Sequence, residues 1–378
     1  MKFSDIVGFN EIKNKLIKIA HNKSISHAYL FFGPEGTPKL SLAIAFAQYL
    51  NCQNPTDNDS CGICAECKKY EKLIHPDLHF IFPVVKTAKI SKPTSNDFIE
   101  QWRNFVSQTT YHSYRDWLEF INTSNLQATI YTEESKQIIK IVNLQRYEGK
   151  YKILIIFMPE KMHISAANKL LKVLEEPPEE TLFFLISENP EQILPTILSR
   201  VQPIKINKPD KNTLIETFVK KFPEKPVKVI EQAIIASENN YNTAYKILND
   251  ENNGKLEKFF NNFIKFMRLA YSHKIIEIIN FVEKFCTELN KEEKKQFIEY
   301  SLRQLRNNFI SHSNENIIYL TEKEAEFAKK FKSFITEKNI FAFEQEFSKA
   351  YYDIERNGND KLIFLDLILK TALLLHKT

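Results

Sequence analysis

Four cysteines that lie within 16 residues of one another carry the clearest chemical signal in this sequence. Their spacing is C-x8-C-x2-C-x2-C, and they are Cys52, Cys61, Cys64 and Cys67. The short intervals let turns present several sulfurs to one ion, and four thiolates suit tetrahedral Zn²⁺ in a closed structural site. An iron–sulfur cluster on the same thiolates is the alternative, and so is a zinc site in which His75 or His79 replaces one cysteine.

The segment from Gly33 to Lys39 is a candidate phosphate-binding loop. It resembles the pattern G-x-x-x-x-G-K-[ST], in which backbone N–H groups and the lysine hold phosphate and the hydroxyl holds Mg²⁺. Gly33, Gly36 and Lys39 are present, but Pro38 stands at the second glycine and Leu40 at the hydroxyl position. Proline has no N–H and leucine has no oxygen. We therefore predict a degenerate loop that does not hydrolyse ATP. The alternatives are weak nucleotide binding through Lys39 or an ordinary turn.

The acidic residues that such ATPases place at the end of a buried strand are also missing. The apolar run Ile153–Ile156 continues into Phe157, Met158 and Pro159, and the first acid is Glu160. The metal ligand and the water-activating carboxylate are thus absent from the positions where the chemistry needs them. The loop and the end of the strand both lack residues needed for ATP hydrolysis. One such change could be compensated elsewhere in the site, but two together favour a site without ATPase activity.

Two basic features have a functional interpretation beside an ordinary one. Ser199 and Arg200 follow the run Ile193–Leu198, and an arginine there could simply be a solvated surface residue. The lysines in Ala166–Val173 could form part of a nucleic-acid surface or the solvated face of a helix. Neither feature is decided by residue type alone.

Composition limits the class of protein. Only seven of 378 residues are glycine, where average usage would give about 26, so collagen-like and glycine-linker architectures are excluded. With 43% hydrophobic residues and 30 phenylalanines, the chain is expected to be globular and soluble. We find no membrane span and no export signal in the sequence, so a cytoplasmic location is expected. The fifth cysteine, Cys286, is expected to be a buried small hydrophobe.

The net charge of +5 comes from 52 basic and 47 acidic residues. This balance argues against a chain that coats nucleic acid by electrostatics alone.

Short apolar runs and helix-forming runs alternate through the first 205 residues. Three runs suit buried parallel strands: Ala28–Phe32, Ile153–Met158 and Leu182–Ile186. Helices are predicted at Leu40–Leu50 and at Ala166–Glu176, where two prolines stop the second one. The alternation predicts an α/β fold with a parallel sheet.

The remaining chain is predicted to be helical. We expect three domains: an α/β domain at 1–206 that includes the cysteine module, a small helical domain at 207–252, and an all-helical domain at 255–378. Helices are expected at Thr213–Phe222 and Val227–Leu248, and amphipathic helices from Lys255 onward. Residues 84–129, which we name the insertion, hold both tryptophans and are predicted to be ordered and helical.

Several of these motifs, in this order, carry a family resemblance. They are His27–Lys39, the four-cysteine module, His75–His79, Ala166–Thr181 and Ile197–Arg200. The chain resembles the clamp-loader AAA+ proteins of bacterial DNA polymerase III over roughly residues 1–83 and 130–250. The likeness is weaker at Asn357–Lys370, and the insertion departs from the family's shorter connection.

The resemblance implies an AAA+ domain, a helical lid and a C-terminal collar, in a five-membered assembly that places a sliding clamp on primed DNA. Ser199 and Arg200 match the family's Ser-Arg-Cys motif, with Val201 replacing the cysteine, which makes Arg200 the finger that reaches a neighbour's ATP. Ser187 takes the γ-phosphate-sensing position, and Asn242 stands where active relatives carry arginine.

The partners that the resemblance implies are other loader subunits, delta and gamma or tau, with the clamp and primed DNA reached through the complex and no membrane. A non-hydrolysing subunit with structural zinc is the function favoured. The alternatives are an ATP-hydrolysing gamma- or tau-like subunit, or a zinc-containing nucleic-acid-binding module.

Overall fold

The computed structural model describes residues 1–22, 25–88, 90–123, 128–249, 253–311 and 322–376. These residues form two compact units. The first unit contains Met1–Val227 and Asn239–Thr243, and the second contains Lys228–Glu238 and the chain from Ala244 onward. The three-domain division at 206 and 252 stays a prediction.

The first unit is built on a sheet of five parallel strands in the order β2-β3-β4-β1-β5. The strands are β1 (Ala28–Phe32), β2 (Leu78–Ile81), β3 (Lys152–Phe157), β4 (Thr181–Ser187) and β5 (Gln202–Lys205). The predicted parallel α/β sheet is confirmed, with β1, β3 and β4 close to the runs that predicted them. Every residue of β3 and of β4 is buried, as expected for strands covered on both faces.

Two edge strands were not predicted. β2 has only four residues, and one of them is His79. β5 reads Gln-Pro-Ile-Lys and buries only its isoleucine, so it carries no apolar run, and its Pro203 suits an edge position.

Nine helices are described in the first unit, including the two in the insertion. They are α1 (Asn10–His21), α2 (Lys39–Asn51), α3 (Ala65–Glu71), α4 (Ile99–Gln108), α5 (Tyr114–Phe120), α6 (Thr132–Asn143), α7 (Ile164–Glu175), α8 (Pro195–Leu198) and α9 (Lys211–Lys221). α2 is buried along its whole length. It lies in the core on one face of the sheet, while residues of α6 and α7 join the core on the other.

The run predicted as helix at Val227–Leu248 is interrupted. The structure has two helices here, α10 (Val227–Ala236) and α11 (Tyr241–Leu248). The prediction of one continuous helix is therefore wrong. Glu238 and Asn239 have φ of 51° and 61°, the left-handed conformation that ends a right-handed helix. The intervening residues are polar, so the break had a weak signal in the sequence.

The described residues of the second unit are largely helical, as predicted. Its further helices are α12 (Asn253–Ser272), α13 (Ile275–Glu288), α14 (Lys291–Ile310), α15 (Glu322–Phe331), α16 (Ile340–Glu355) and α17 (Asp360–Leu375). α17 packs against α12, α13 and α16, and α14 packs against α16. Phe263, Phe297 and Phe343 are fully buried in its core, and Cys286 is buried as expected.

Helix α17 is apolar on more than one face. Phe364, Leu367 and Ile368 are buried, whereas Leu362 and Leu373 are exposed. Periodicity cannot select the buried face of a helix that is apolar nearly all round. Across the described ranges, no helix combines the length and the apolar character needed to cross a membrane.

Candidate functional site

The four cysteines converge at the junction between α2 and α3. Their four Sγ atoms all lie within 4.8 Å of one another. The Sγ of Cys67 is 3.6 Å from that of Cys52 and 3.9 Å from that of Cys61. Zn–S bonds of about 2.3 Å in a tetrahedron place sulfurs about 3.8 Å apart. The donor set and its spacing therefore fit one tetrahedrally coordinated metal ion.

Backbone N–H groups point at these sulfurs. The N–H of Cys61 donates to the Sγ of Cys52 at 3.2 Å, and the N–H of Cys64 donates to the Sγ of Cys61 at 3.4 Å. Burial acts to raise the pKa of Cys61, but hydrogen bonds from the N–H groups of Ile63 and Cys64 and from neighbouring thiols outweigh it and lower the pKa to about 6. A thiolate is the form that binds a metal, so the surroundings of Cys61 favour coordination, whereas burial raises the pKa of Cys52 and of Cys67.

His75 does not join the sulfur cluster. Its Nε2 pairs with the carboxylate of Glu66, and its Nδ1 accepts a hydrogen bond from the N–H of Asp77 at 3.0 Å. Both ring nitrogens are thus engaged. In the described part of the chain, the sulfur group contains no histidine, which favours four-cysteine ligation over a mixed set.

The degenerate loop Gly33–Lys39 follows β1 at the carboxyl edge of the sheet. Lys39 begins α2 and is 1% exposed. Its Nζ donates to the carbonyl of Pro34 at 2.7 Å and to Oγ1 of Thr37 at 3.1 Å. Burial lowers the pKa of Lys39, an effect that the carboxylate of Glu188 opposes. The lysine that would reach phosphate in an active loop is folded back onto its own loop.

Both glycines of the loop are required by packing. A Cβ on Gly33 would lie 2.0 Å from the carbonyl oxygen of Ile206. Gly36 has φ +78°, and a Cβ there would lie 2.4 Å from Oδ1 of Asn240 and 2.9 Å from the backbone nitrogen of Tyr241. The segment at 240–241 thus lies directly against the loop.

The end of β3 carries an apolar contact in place of an acid. Phe157 is fully buried, and its ring centroid lies 5.2 Å from that of Trp102 in the insertion. The first acid, Glu160, accepts hydrogen bonds at Oε1 from the N–H groups of Glu188 and Asn189, at 2.9 and 3.1 Å. That carboxylate caps a turn.

Ser187, expected to sense a γ-phosphate, is buried at the end of β4. Its Oγ accepts a hydrogen bond from the N–H of Asn189 at 3.1 Å, and its carbonyl accepts one from the N–H of Gly33 at 3.3 Å. The side chain thus belongs to local turn structure.

The described residues of the insertion include the helices α4 and α5, and their position beside the degenerate loop was not foreseen. Oγ of Ser41 donates to the carbonyl of Thr110 at 2.7 Å. The ring of Tyr111 stacks on that of Tyr241, with centroids 3.8 Å apart and planes 9° apart. Asn242 donates from its amide to the carboxylate of Asp116. No pattern within the insertion indicated these partners.

Glu134 anchors the start of the insertion's helical part. Its Oε2 accepts a hydrogen bond from the N–H of Ser95 at 2.7 Å, and both residues are buried. Burial raises the pKa of Glu134 to about 7. Its folded form therefore holds a proton more tightly than its unfolded form, whose pKa is near 4.5.

We expect Glu134→Gln to remove a pH dependence of stability. Between about pH 4.5 and 7 the native state binds more protons at this site, so the free energy of unfolding falls as pH rises, by about 3 kcal/mol in total. Denaturant unfolding at pH 5 and at pH 8 measures this change in the free energy of unfolding. Glutamine keeps an acceptor for Ser95, so the variant should lose less stability than the native chain over that interval; equal losses would contradict the assignment.

Arg200 lies on the surface between α8 and β5. Its Nη2 is 2.6 Å from Oε1 of Glu175, and its Nη1 donates to the carbonyl of Thr196 and to Oγ of Ser199, at 2.8 and 3.2 Å. The side chains of Arg200 and Glu175 are 33% and 48% exposed. An ion pair this exposed is worth at most about 1 kcal/mol, so the guanidinium can leave it at small cost.

The lysines of α7 lie away from its buried face. Lys172 is exposed and Lys169 half-buried, while Ala166, Leu170 and Leu174 are buried. This is the pattern of an amphipathic helix, and it leaves a solvated basic edge available to a partner.

Comparison with known proteins gives a consistent family. The family described as DNA polymerase III, delta subunit, matches residues 8–210, more than half of the chain. A DNA polymerase III subunit delta' of Pseudomonas aeruginosa is 28% identical over 222 residues, which cover 59% of this chain and 56% of that protein. The delta' subunit of Bacillus subtilis is 30% identical, with coverages of 52% and 47%.

The subunit tau of Bacillus subtilis is 31% identical over 201 residues, which cover 53% of this chain and 28% of tau. The chain therefore spans about half the length of the delta' relatives and less of tau. The family match contains the whole sheet, the cysteine cluster, the degenerate loop and Arg200. It does not extend into the helical second unit.

Proposed function

The chain belongs to the DNA polymerase III delta subunit family, and we propose that it is the delta-prime subunit of a bacterial clamp loader. We further propose that this subunit hydrolyses no ATP itself. In this proposal it adopts the AAA+ architecture, supplies Arg200 to the ATP site of a neighbouring subunit, and supports loading of the sliding clamp on primed DNA. A cytoplasmic location goes with that role.

The observation that carries the proposal is the contrast between a closed site and an exposed arginine. Lys39 is bound to Pro34 and Thr37 of its own loop, and Phe157 packs on Trp102 where a metal ligand would stand. Arg200 is partly exposed and held only by surface contacts. In the described residues the loop has leucine at the hydroxyl position and the end of β3 has Phe157 at the acid position, whereas Arg200 is a cation that can act on a neighbouring chain.

Arg200 would act by electrostatic stabilisation in trans. A guanidinium placed on a transferring phosphoryl group neutralises charge that builds up in the transition state. To reach a neighbour, Arg200 must exchange the carboxylate of Glu175 for phosphate oxygens, which a bidentate guanidinium also accommodates. Ser199, whose Oγ accepts from Nη1, would orient the side chain before that exchange.

We also propose that Cys52, Cys61, Cys64 and Cys67 hold a structural Zn²⁺. When bound, the ion would supply a cross-link for a segment with little core of its own. Because four thiolates would occupy all four coordination positions of a tetrahedral ion, none would be left for a substrate. The N–H groups of Phe3 and Ser4 donate to the carboxylate of Asp59 between the ligands, at 3.0 and 2.9 Å, so the module also fixes the N-terminal residues.

The second unit would join the chain to other loader subunits, delta and gamma or tau, in a helical collar. Support comes from apolar side chains that its helices leave in solvent. Ile276 of α13 is 78% exposed, and Leu362 and Leu373 of α17 are 64% and 65% exposed. Exposed large aliphatic side chains on neighbouring helices are typical of a surface that another chain covers.

We expect the purified chain to show no saturable binding of Mg²⁺–ATP below about 1 mM and no turnover, because lysine, hydroxyl and acid are all unavailable. Calorimetric titration and phosphate release measure this. The control variant is Lys39→Met, which keeps the buried stem, and its response to ATP should equal that of the native chain.

The similarity to tau makes an ATP-hydrolysing gamma- or tau-like subunit the second candidate. Tight binding with Mg²⁺-dependent turnover, lost in Lys39→Met, would establish that candidate and reject ours. Tight, strongly salt-dependent binding of primed DNA by the isolated chain would instead favour a nucleic-acid-binding module that uses the basic edge of α7.

A further inference from the structure

Four contacts join the insertion to the elements that surround a nucleotide in a phosphate-loop protein. Ser41 in the first turn of α2 donates to Thr110, and Phe157 at the end of β3 packs on Trp102. The two others reach the segment Asn239–Thr243, where Tyr241 stacks on Tyr111 and Asn242 pairs with Asp116. A single insertion therefore touches three separate parts of the degenerate site.

We propose that the insertion is a built-in substitute for nucleotide, which fills the degenerate site and fixes the loop and the segment Asn239–Thr243 in one arrangement. This goes beyond the proposed function, since neither Arg200 nor the absence of hydrolysis requires an internal occupant. Its consequence is a subunit whose first unit keeps one conformation whether or not ATP is present.

The polar contacts satisfy buried polar groups in and beside the degenerate loop. In a working loop, a hydroxyl at the start of the helix binds Mg²⁺, and the lysine binds phosphate. Here Leu40 removes that hydroxyl; the hydroxyl of the next residue, Ser41, donates to a backbone carbonyl of the insertion, and Lys39 donates to its own loop. Buried polar groups need partners, and the insertion supplies one of them.

Ring contacts hold the segment Asn239–Thr243 against the insertion. Tyr241 lies between Tyr111 and Phe218, with ring centroids 3.8 and 4.8 Å away. Tyr111 is buried, and among the residues that the structure describes its hydroxyl has no hydrogen-bond partner. The ring of Tyr111, and not its hydroxyl, is therefore what holds the segment Asn239–Thr243 in place.

The insertion is itself anchored, so it acts as a fixed part of the core. Trp102 and Trp117 are both fully buried. The ring of Trp102 stacks on Phe82 with centroids 4.2 Å apart, and Nε1 of Trp117 donates to the carbonyl of Pro83 at 2.8 Å. An element tied down in this way can hold the loop without a ligand.

Hydrogen exchange of the full chain, measured without nucleotide, tests whether the insertion takes the place of nucleotide. We expect Tyr111→Ala to speed amide exchange roughly tenfold both in residues 33–42 and in residues 239–243, since loss of the stack releases both. Tyr111→Phe keeps the ring and loses no hydrogen bond, so its exchange should match that of the native chain.

Faster exchange confined to residues 109–123, with the loop and 239–243 unchanged, would overturn the proposal. Should Tyr111→Ala fail to fold, Ser41→Ala tests the same coupling, because it removes only the bond to Thr110 and is expected to speed exchange at 109–111 as well as in α2. Because no ATP is added, these outcomes are independent of whether the subunit supplies an arginine finger.

Discussion

Arg200→Ala is expected to slow ATP hydrolysis about 10³-fold or more at the one interface that Arg200 serves, while the variant chain folds and assembles normally. Arginine fingers contribute roughly 10³ to 10⁵ to the rate of phosphoryl transfer. Inside its own chain Arg200 makes only surface contacts, so its loss costs little stability. The measurement is ATP turnover of the reconstituted loader with clamp and primed DNA, together with thermal unfolding of the isolated chain.

The matched control is Arg146→Ala. Arg146 also forms an exposed pair, 2.8 Å from Glu180, with side chains 44% and 46% exposed. It should leave loader turnover unchanged. Arg200→Lys should retain little activity, because an ammonium lacks the planar fork. Native turnover by a loader that contains Arg200→Ala would remove the finger from the proposal.

Cys67→Ser is expected to release one zinc ion per chain and to destabilise the first unit, by on the order of 5 kcal/mol or more, since binding energy at a structural zinc site is folding energy. Cys67 is buried, and Tyr70, one turn further along α3, accepts a hydrogen bond from Asn51 at 2.6 Å. Disorder at the cysteines should therefore spread to the end of α2. Metal analysis and denaturant unfolding give the two values.

Cys286→Ser is the control, because it removes a buried thiol in the second unit and should leave the zinc content at one ion per chain. If the native protein absorbed visible light and contained iron, the cysteines would be assigned to an iron–sulfur cluster and not to zinc. A native chain that contains no metal and withstands chelator with unchanged stability would contradict a structural site.

The sequence predicted the parts of the fold whose signal is local. Strands β1, β3 and β4 are continuous apolar runs, and proline marks the end of α7 at Glu175. The cysteines could be grouped because their spacing is short, and the structure brings their sulfurs together. A site made of residues that are close in sequence can be predicted without knowing the fold.

The missed features depend on distant residues. β5 has one buried side chain, so its strand character comes from pairing with β1 and not from its own pattern. Trp102 and Phe157 are far apart in sequence, and nothing in either neighbourhood indicates the other. The filled loop could be recognised only when the sheet placed both beside it.

In the proposed non-hydrolysing subunit, the contact between Phe157 and Trp102 would also oppose a gain of ATPase activity. Restoring glycine at Pro38 and a hydroxyl at Leu40 would leave the insertion in place. Restoring aspartate at Phe157 would bury a carboxylate against an indole, a costly step unless the insertion changed at the same time. Each single substitution towards an active loop would be opposed by a neighbouring residue, so we expect ATPase activity to require several substitutions made together.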